Sequence, residues 1–220
     1  MSITLYYHPL SSFCHKVLIA LYENNVAFVP RIIDFRDEVG QAELQVIWPF
    51  NKFPVIRDEG RQRDVAESSI IIEYLDHYFA GTHTLIPADW ETALDVRFWD
   101  RVFDNYVQRP LQAIVADRIK GANADLSAEY ATLKTAYGLI DRRMASKVWI
   151  SGQHFSLADC AAAPALFYSS TLQPFPAECE HLRAYFDRLV KRPSVLRVIE
   201  EAKPYFSLYP FADRIPQRFR

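Results

Sequence analysis

Hydrophobic and polar residues change spacing several times along the first third of the chain. Short apolar runs at Ile3–Tyr7 and 27–33 are typical of β-strands, whereas the segment 13–25 between them repeats apolar residues at helical spacing. Pro30 marks the second run as an edge strand, because proline cannot donate a hydrogen bond to a sheet ladder. The pattern therefore predicts a βαβ unit.

A second alternation follows the first and predicts a ββα unit. The segment 37–48 is weakly helical, two short strand-like runs at 53–58 and 61–67 are joined by a turn, and 67–79 is helical. Together the two units predict an α/β domain of βαβ-ββα order over residues 1–80.

The rest of the chain is predicted to be helical. Residues 81–89 lack periodicity and contain glycine and proline, which predicts a linker, and residues 90–220 repeat apolar positions at three- and four-residue steps. Pro110 is expected to kink or break a helix. Ser156 and Asp159 have the spacing of a capping box, in which the aspartate carboxylate accepts a hydrogen bond from the serine amide.

Composition excludes several classes of partner. The 220 residues are 50% hydrophobic and carry a formal net charge of -2, with no basic stripe that would neutralise a phosphate backbone, so no nucleic acid is expected. The sequence shows neither a targeting segment nor an apolar run long enough to cross a membrane. Cys14, Cys160 and Cys179 are too scattered for a disulfide framework. We therefore expect a cytoplasmic protein.

The stretch from Ser11 to Leu21, SSFCHKVLIAL, joins the first strand to the first helix. Backbone amides and the helix dipole at such a turn favour an anion, so Ser11 and Ser12 are candidates to bind a thiolate, although either serine can simply cap the helix. Cys14 lies one turn into the helix, where a thiol is usually buried and inert; an exposed Cys14 would instead support redox chemistry.

Two later stretches can bind a peptide-like ligand. Pro54 precedes a short strand and can form a cis peptide bond that keeps the Phe53 backbone available to an extended ligand, although an ordinary edge-strand proline is also possible. Glu67 and Ser68 open a helix, where an acid, a hydroxyl and free amides can bind amino and carboxylate groups or can merely form a cap.

The order of these motifs resembles the cytosolic glutathione transferase family over essentially the whole chain. SSFC follows the first strand, KFP precedes the third, ES precedes the third helix, and a helical half completes the pattern. The resemblance implies a thioredoxin-like N-terminal domain, an all-α C-terminal domain and a homodimer. It is closest to serine-type members of the bacterial, zeta, tau or theta-like kind, but SSF replaces the zeta SSC and the tau SPF, so the class stays open.

The resemblance also implies roles for individual residues. Ser11 would donate a hydrogen bond to the sulfur of glutathione, with Ser12 as the secondary candidate. Glutathione, the co-substrate, would otherwise be bound by Lys52, Phe53, Pro54, Glu67 and Ser68. Separately, the aromatic or cationic character of Tyr7, Tyr106, Arg109 and Tyr168 suits a pocket for a hydrophobic electrophile, although core packing explains most of the aromatic residues equally well.

The implied reaction is attack of an activated glutathione thiolate on an electrophilic small molecule. Two alternatives remain open: a glutathione-dependent thiol oxidoreductase that uses Cys14, and a noncatalytic binding protein with the same fold. His15 and Lys16 have no orienting partner in the sequence, so we expect them on the solvated face of the helix. The six histidines show no metal-binding spacing, and no metal is expected.

Overall fold

A computed structural model describes residues 2–34, 36–81 and 84–220 of the protein. The chain forms two compact units, Met1–Leu85 and Ile86–Arg220. Within the described residues, no helix is long and apolar enough to span a bilayer.

The N-terminal unit contains a four-stranded mixed sheet and three helices among its described residues, in the predicted βαβ-ββα order. The strands are β1 Ile3–Tyr7, β2 Phe28–Ile32, β3 Val55–Asp58 and β4 Arg63–Ala66. The sheet order is β2-β1-β3-β4; β1 is parallel to β2 and antiparallel to β3, and β3 is antiparallel to β4. This arrangement fits the thioredoxin-like fold and confirms the predicted fold class. The helices of this unit are α1 Ser12–Glu23, α2 Glu38–Ile47 and α3 Ser68–Tyr78.

Both faces of the central strands carry buried side chains. Tyr6 and Val55 form a registered pair and pack with Leu44 of α2 in one cluster. Leu5 and Ile56 form the next pair, point to the opposite face because side chains alternate along a strand, and are fully buried. The two middle strands therefore provide a rigid base for the residues that follow β1 and precede β3.

Part of the predicted linker belongs to the N-terminal unit. Leu85 is fully buried, and its amide donates a 2.8 Å hydrogen bond to Asp76. Gly81 lies against the Asn24 backbone, where an added Cβ would approach the carbonyl oxygen to 2.8 Å. Thr82 and His83, which also fall within the predicted linker, lie outside the described residues.

The C-terminal unit is helical. The helix Leu157–Leu172, α7, is buried along nearly its whole length. The helices are α4 Trp90–Val102, a π-helical segment Phe103–Gln108, α5 Arg109–Lys120, α6 Ser127–Met144, α7 Leu157–Leu172, α8 Glu180–Val190 and α9 Pro193–Ala202. Short 3₁₀ turns follow at Lys203–Leu208, Ala212–Arg214 and Gln217–Phe219.

The α-helical ladder is interrupted next to Pro110, where the sequence predicted a kink or break. The chain stays helical from Trp90 to Lys120, and Pro110 lies in the first turn of α5, directly after the π-helical segment. Proline has no amide hydrogen, so the α-helical ladder cannot pass through it unchanged. A wider turn before the proline accommodates this defect without ending the helix.

Asp159 organises the start of α7, as the capping-box spacing predicted. Its carboxylate accepts hydrogen bonds from the Ser156 amide and hydroxyl, each 2.9 Å long. It also accepts bonds from the Ile150 amide at 3.1 Å and from the Tyr185 hydroxyl at 2.6 Å. Burial raises the pKa of Asp159 to about 6, although these four bonds favour the carboxylate.

We predict that Asp159→Ala destabilises the protein by roughly 3 kcal/mol or more, because it leaves buried donors without an acceptor. Asp89 is the matched control: it caps α4 through a 2.9 Å bond from the Thr92 amide but is exposed, so Asp89→Ala should cost only about 1 kcal/mol. Urea unfolding of both variants measures the difference. Equal decreases in the free energy of unfolding of the two variants would show that the buried network around Asp159 contributes no more than an ordinary helix cap.

Candidate functional site

The register of the sheet brings the three predicted site segments to one edge. Tyr6 of β1 pairs with Val55 of β3, and Val55 pairs with Ala66 of β4. Because β3 runs antiparallel to both neighbours, the end of β1, the start of β3 and the end of β4 lie side by side. The turn after β1, the Phe53–Pro54 segment and the Glu67–Ser68 segment therefore meet at this edge.

Ser11 is the N-cap of α1. Its backbone is extended, with φ -77° and ψ 118°, and its Oγ accepts a 3.3 Å hydrogen bond from the Cys14 amide. The capping reading is therefore correct, but the hydroxyl hydrogen is not used in that bond and can still be donated to a ligand. Ser11 is half-buried whereas Ser12 is only 8% exposed, so Ser11 is the more accessible of the two hydroxyls.

His8 holds the turn that precedes Ser11, a role that the sequence did not reveal. Its carbonyl accepts a 3.0 Å bond from the Ser11 amide, and its Nδ1 accepts a 3.1 Å bond from the Leu10 amide. Its ring stacks on Phe53, with centroids 6.0 Å apart. Burial lowers the pKa of His8, which favours the neutral imidazole that these contacts require. His8 thus joins the Ser11 turn to the segment before β3.

The Phe53–Pro54 peptide bond is cis, the first of the two alternatives that the sequence left open. Pro54 is buried, and Phe53 is half-buried against the cluster that contains Tyr6 and Val55. The β1–β3 ladder begins at the pair of Tyr6 and Val55, so the Phe53 backbone lies just beyond the sheet. Lys52 is exposed.

Glu67 has a backbone conformation that residues other than glycine rarely adopt. Its φ is 68° and its ψ 115°, which costs of the order of 1–3 kcal/mol. Its side chain is exposed, and Ser68 begins α3 at 7% exposure. Strained residues of this kind concentrate at ligand-binding sites, and the first amides of an eleven-residue helix favour a carboxylate.

The expectation that His15 and Lys16 are solvated is wrong. They are only 2% and 1% exposed, respectively. His15 Nε2 lies 2.5 Å from the Pro9 carbonyl oxygen, and Lys16 Nζ donates a 2.9 Å bond to Ser69 Oγ on α3. The partners lie six residues before His15 and 53 residues after Lys16, so helical spacing within α1 could not reveal these contacts.

Cys14 is fully buried. Burial raises the pKa of its thiol to about 12, even though hydrogen bonds with Ser11 and His8 act in the opposite direction. The thiol is therefore neutral at physiological pH and inaccessible to a second disulfide-forming partner. The condition for a redox role of Cys14, an exposed thiol, is not met.

The four predicted pocket residues have different environments. Tyr7 ends β1 and is half-buried, whereas Tyr106 and Arg109 are exposed on the helical unit. Tyr168 is only 3% exposed and contacts the rings of Phe167 and Tyr209. Those contacts and that burial favour the core-packing alternative for Tyr168.

Within the described ranges, no group of three or more histidine, cysteine, aspartate or glutamate side chains is arranged to bind a metal ion. The edge described above presents hydroxyls, backbone amides and a few charged side chains.

Two family models match the chain. The model of the glutathione S-transferase N-terminal domain matches residues 5–83, and that of the C-terminal domain matches residues 123–188. The chain belongs to the cytosolic glutathione S-transferase family. The resemblance seen in the SSFC, KFP and ES motifs is thereby confirmed, while the class within the family stays open.

The similarity to individual family members extends over about 90% of the chain. Glutathione S-transferase F6 of Arabidopsis thaliana is 25% identical over 90% of the chain and 99% of the relative. A stringent starvation protein A homolog of Histophilus somni is 24% identical over 91% and 92%. The fold matches a glutathione S-transferase from Methylobacterium radiotolerans, solved in complex with glutathione sulfonate, with a TM-score of 0.79 and 23% identity over 90% and 94%.

We predict that Cys14 is unreactive in this family member until the protein unfolds, because its thiol is buried and neutral. A chromogenic disulfide reagent should detect the same number of reactive thiols in native wild type and native Cys14→Ala. In urea, the variant should show one thiol fewer. A native wild type that reacts at one thiol more than the variant would show that Cys14 is accessible.

Proposed function

We propose that this protein is a glutathione transferase whose N-terminal unit binds glutathione. The observation that supports this most strongly is the meeting of three segments at one sheet edge: the Ser11 turn, the Phe53–Pro54 segment and the Glu67–Ser68 segment. A short peptide with two carboxylates matches this combination, since it needs backbone hydrogen bonds in its middle and anion-binding groups at its ends.

In this proposal the segments bind different parts of glutathione. The Phe53 backbone beside Pro54 exchanges hydrogen bonds with the cysteinyl unit. Glu67 and Ser68 bind the amino and carboxylate groups of the γ-glutamyl end, supported by the N-terminus of α3. Lys52, which is exposed, meets the glycine carboxylate.

Ser11 activates the glutathione thiol by hydrogen bonding to its ionised form. An ordinary thiol has a pKa of about 8.5, and each unit of depression requires about 1.36 kcal/mol of preferential thiolate stabilisation. A hydrogen bond to a charged group contributes roughly 1.5–3 kcal/mol, which corresponds to one or two units. The α1 dipole adds a smaller amount. The serine keeps its proton and acts only as a donor.

The chemical step follows from this ionisation. The thiol proton leaves to solvent, and the thiolate sulfur attacks an electrophilic carbon, so a C–S bond forms as a leaving group departs with its electron pair or as electrons shift onto an adjacent acceptor. We propose a hydrophobic small molecule as the electrophile. Tyr7, Tyr106, Arg109 and Tyr168 stay candidates to contact it, and Tyr168 is the least exposed of the four.

A binding role without catalysis is the second candidate function. The Histophilus somni relative has a name that states no transferase activity, although it is similar over most of its length. The Cys14-dependent oxidoreductase is disfavoured by the burial of that thiol.

We predict that Ser11→Ala lowers kcat/KM with an activated aryl chloride by about 10- to 100-fold near pH 6.5, the loss of one charge-assisted hydrogen bond. The difference in kcat/KM between wild type and Ser11→Ala should become smaller above about pH 9, because the glutathione thiol ionises there without the serine. Steady-state kinetics across pH measure both effects. Ser12→Ala is the comparison, with a change below about threefold expected because that side chain is buried.

Three outcomes would contradict parts of this proposal. A larger loss of kcat/KM in Ser12→Ala than in Ser11→Ala would assign the thiol-activating role to Ser12. Equal activity in wild type and Ser11→Ala would remove the serine mechanism. Glutathione binding without turnover of any electrophile would favour the noncatalytic role.

We also propose that the protein forms a homodimer, as the family resemblance implies. Trp90, Leu94 and Phe98 recur every four residues along α4 and are 67%, 46% and 55% exposed, which forms an apolar stripe on the helix surface. Exposed apolar surface of this kind commonly marks an interaction site.

We predict that the double substitution Leu94→Glu and Phe98→Glu converts the protein from twice 25.5 kDa to 25.5 kDa in sedimentation analysis. Two buried carboxylates would make association of the stripe unfavourable. Ile119→Glu is the control, because Ile119 is 69% exposed on α5 outside the stripe and should leave the mass unchanged. An unchanged mass in the double variant would contradict this interface.

A cytoplasmic location is proposed on the basis of cysteine chemistry. The thiols of Cys14 and Cys179 are buried and form no disulfide bond. Unpaired thiols are typical of proteins that remain in a reducing compartment.

A further inference from the structure

Two adjacent polar residues of α1, His15 and Lys16, are buried and directed to different parts of the N-terminal unit. Successive residues of a helix are separated by about 100° around its axis, so neighbours face different elements. His15 reaches the turn before Ser11, and Lys16 reaches the first turn of α3. These are the two regions proposed to bind the sulfur and the γ-glutamyl end of glutathione.

His15 fixes the backbone from which Ser11 projects. A carbonyl oxygen can only accept, so His15 Nε2 carries the hydrogen and donates to the Pro9 oxygen over 2.5 Å. Helical side chains point toward the N-terminus, which is why His15 covers the turn before its own helix. Pro9 is buried and lies two residues before Ser11. Loss of this bond would leave a buried carbonyl without its donor and free the turn to shift.

Lys16 places a positive charge beneath the start of α3. Its Nζ donates to Ser69 Oγ over 2.9 Å, and Ser69 follows Ser68 in the first turn. Burying an ammonium costs free energy, and a methionine would fill the same space without that cost, so core packing alone does not require a lysine. The charge adds to the positive end of the α3 dipole, where a carboxylate is proposed to bind.

We propose that His15 and Lys16 are positioning residues for glutathione, His15 by fixing the Ser11 turn opposite the sulfur and Lys16 by holding the start of α3 at the γ-glutamyl carboxylate. This inference rests on the proposed function. Neither residue contacts the substrate; each acts through a residue that does or through the backbone beside it.

The Lys16 part is tested with Lys16→Met, which keeps the length of the side chain and removes the ammonium, and with Lys16→Arg, which keeps a charged donor. Calorimetry gives the Kd of glutathione, and ultraviolet absorbance across pH gives the pKa of the bound thiol. Lys16→Met should weaken binding about tenfold and leave that pKa unchanged. Lys16→Arg should recover most of the affinity.

For His15 we expect the reverse: the pKa of the bound thiol changes, whereas the Kd of glutathione changes little. His15→Phe keeps a ring but lacks the donor, and it should raise the pKa of the bound thiol by about one unit toward that of free glutathione, with Kd changed less than about twofold. His15→Gln retains an N–H donor and should restore the lower pKa.

Wild type and variants together separate the possible failures. If wild type binds glutathione but the variants change only the midpoint of thermal unfolding, His15 and Lys16 are structural residues and the inference is overturned while the proposed function stands. If wild type does not bind glutathione, both fail. Should Lys16→Met not fold, Ser69→Ala removes the acceptor instead; it is expected to weaken binding severalfold, and an unchanged Kd would overturn the Lys16 role.

Discussion

The register between β1, β3 and β4 is the constraint on which the candidate site depends. A shift of one residue would move each strand's inward side chains to the opposite face and separate the turn after β1 from the segments beside β3 and β4. Buried side chains on both faces of the central pair prevent such a shift. The site is therefore assembled from distant parts of the sequence by strand pairing, and its loops need only short additional contacts to be fixed.

Those additional contacts are a ring stack and a hydrogen bond between residues of different segments. The stack of His8 on Phe53 and the bond from Lys16 to Ser69 join three separate chain segments. The difference between Ser11 and Cys14 shows how strongly position determines chemistry along one turn of helix. Both lie near the same helix N-terminus, yet burial keeps the Cys14 thiol neutral, while Ser11 stays accessible to a ligand.

Local patterns predicted the strands, the helices and the capping box because each depends on residues close in sequence. The spacing of Ser156 and Asp159 is itself the signal for their hydrogen bond. The burial of Lys16 was missed because its partner Ser69 lies 53 residues away. The π-helical segment before Pro110 was missed for a different reason: proline forbids an ordinary turn, but tertiary packing determines whether the chain bends, breaks or widens.

The central prediction is that the protein lowers the thiol pKa of bound glutathione. The most direct test is ultraviolet titration of wild type saturated with glutathione, compared with S-methylglutathione as a blank that cannot ionise at sulfur. A titration midpoint of the bound thiol about one to two pH units below that of free glutathione would agree with this prediction. A midpoint equal to that of free glutathione, with binding intact, would contradict it.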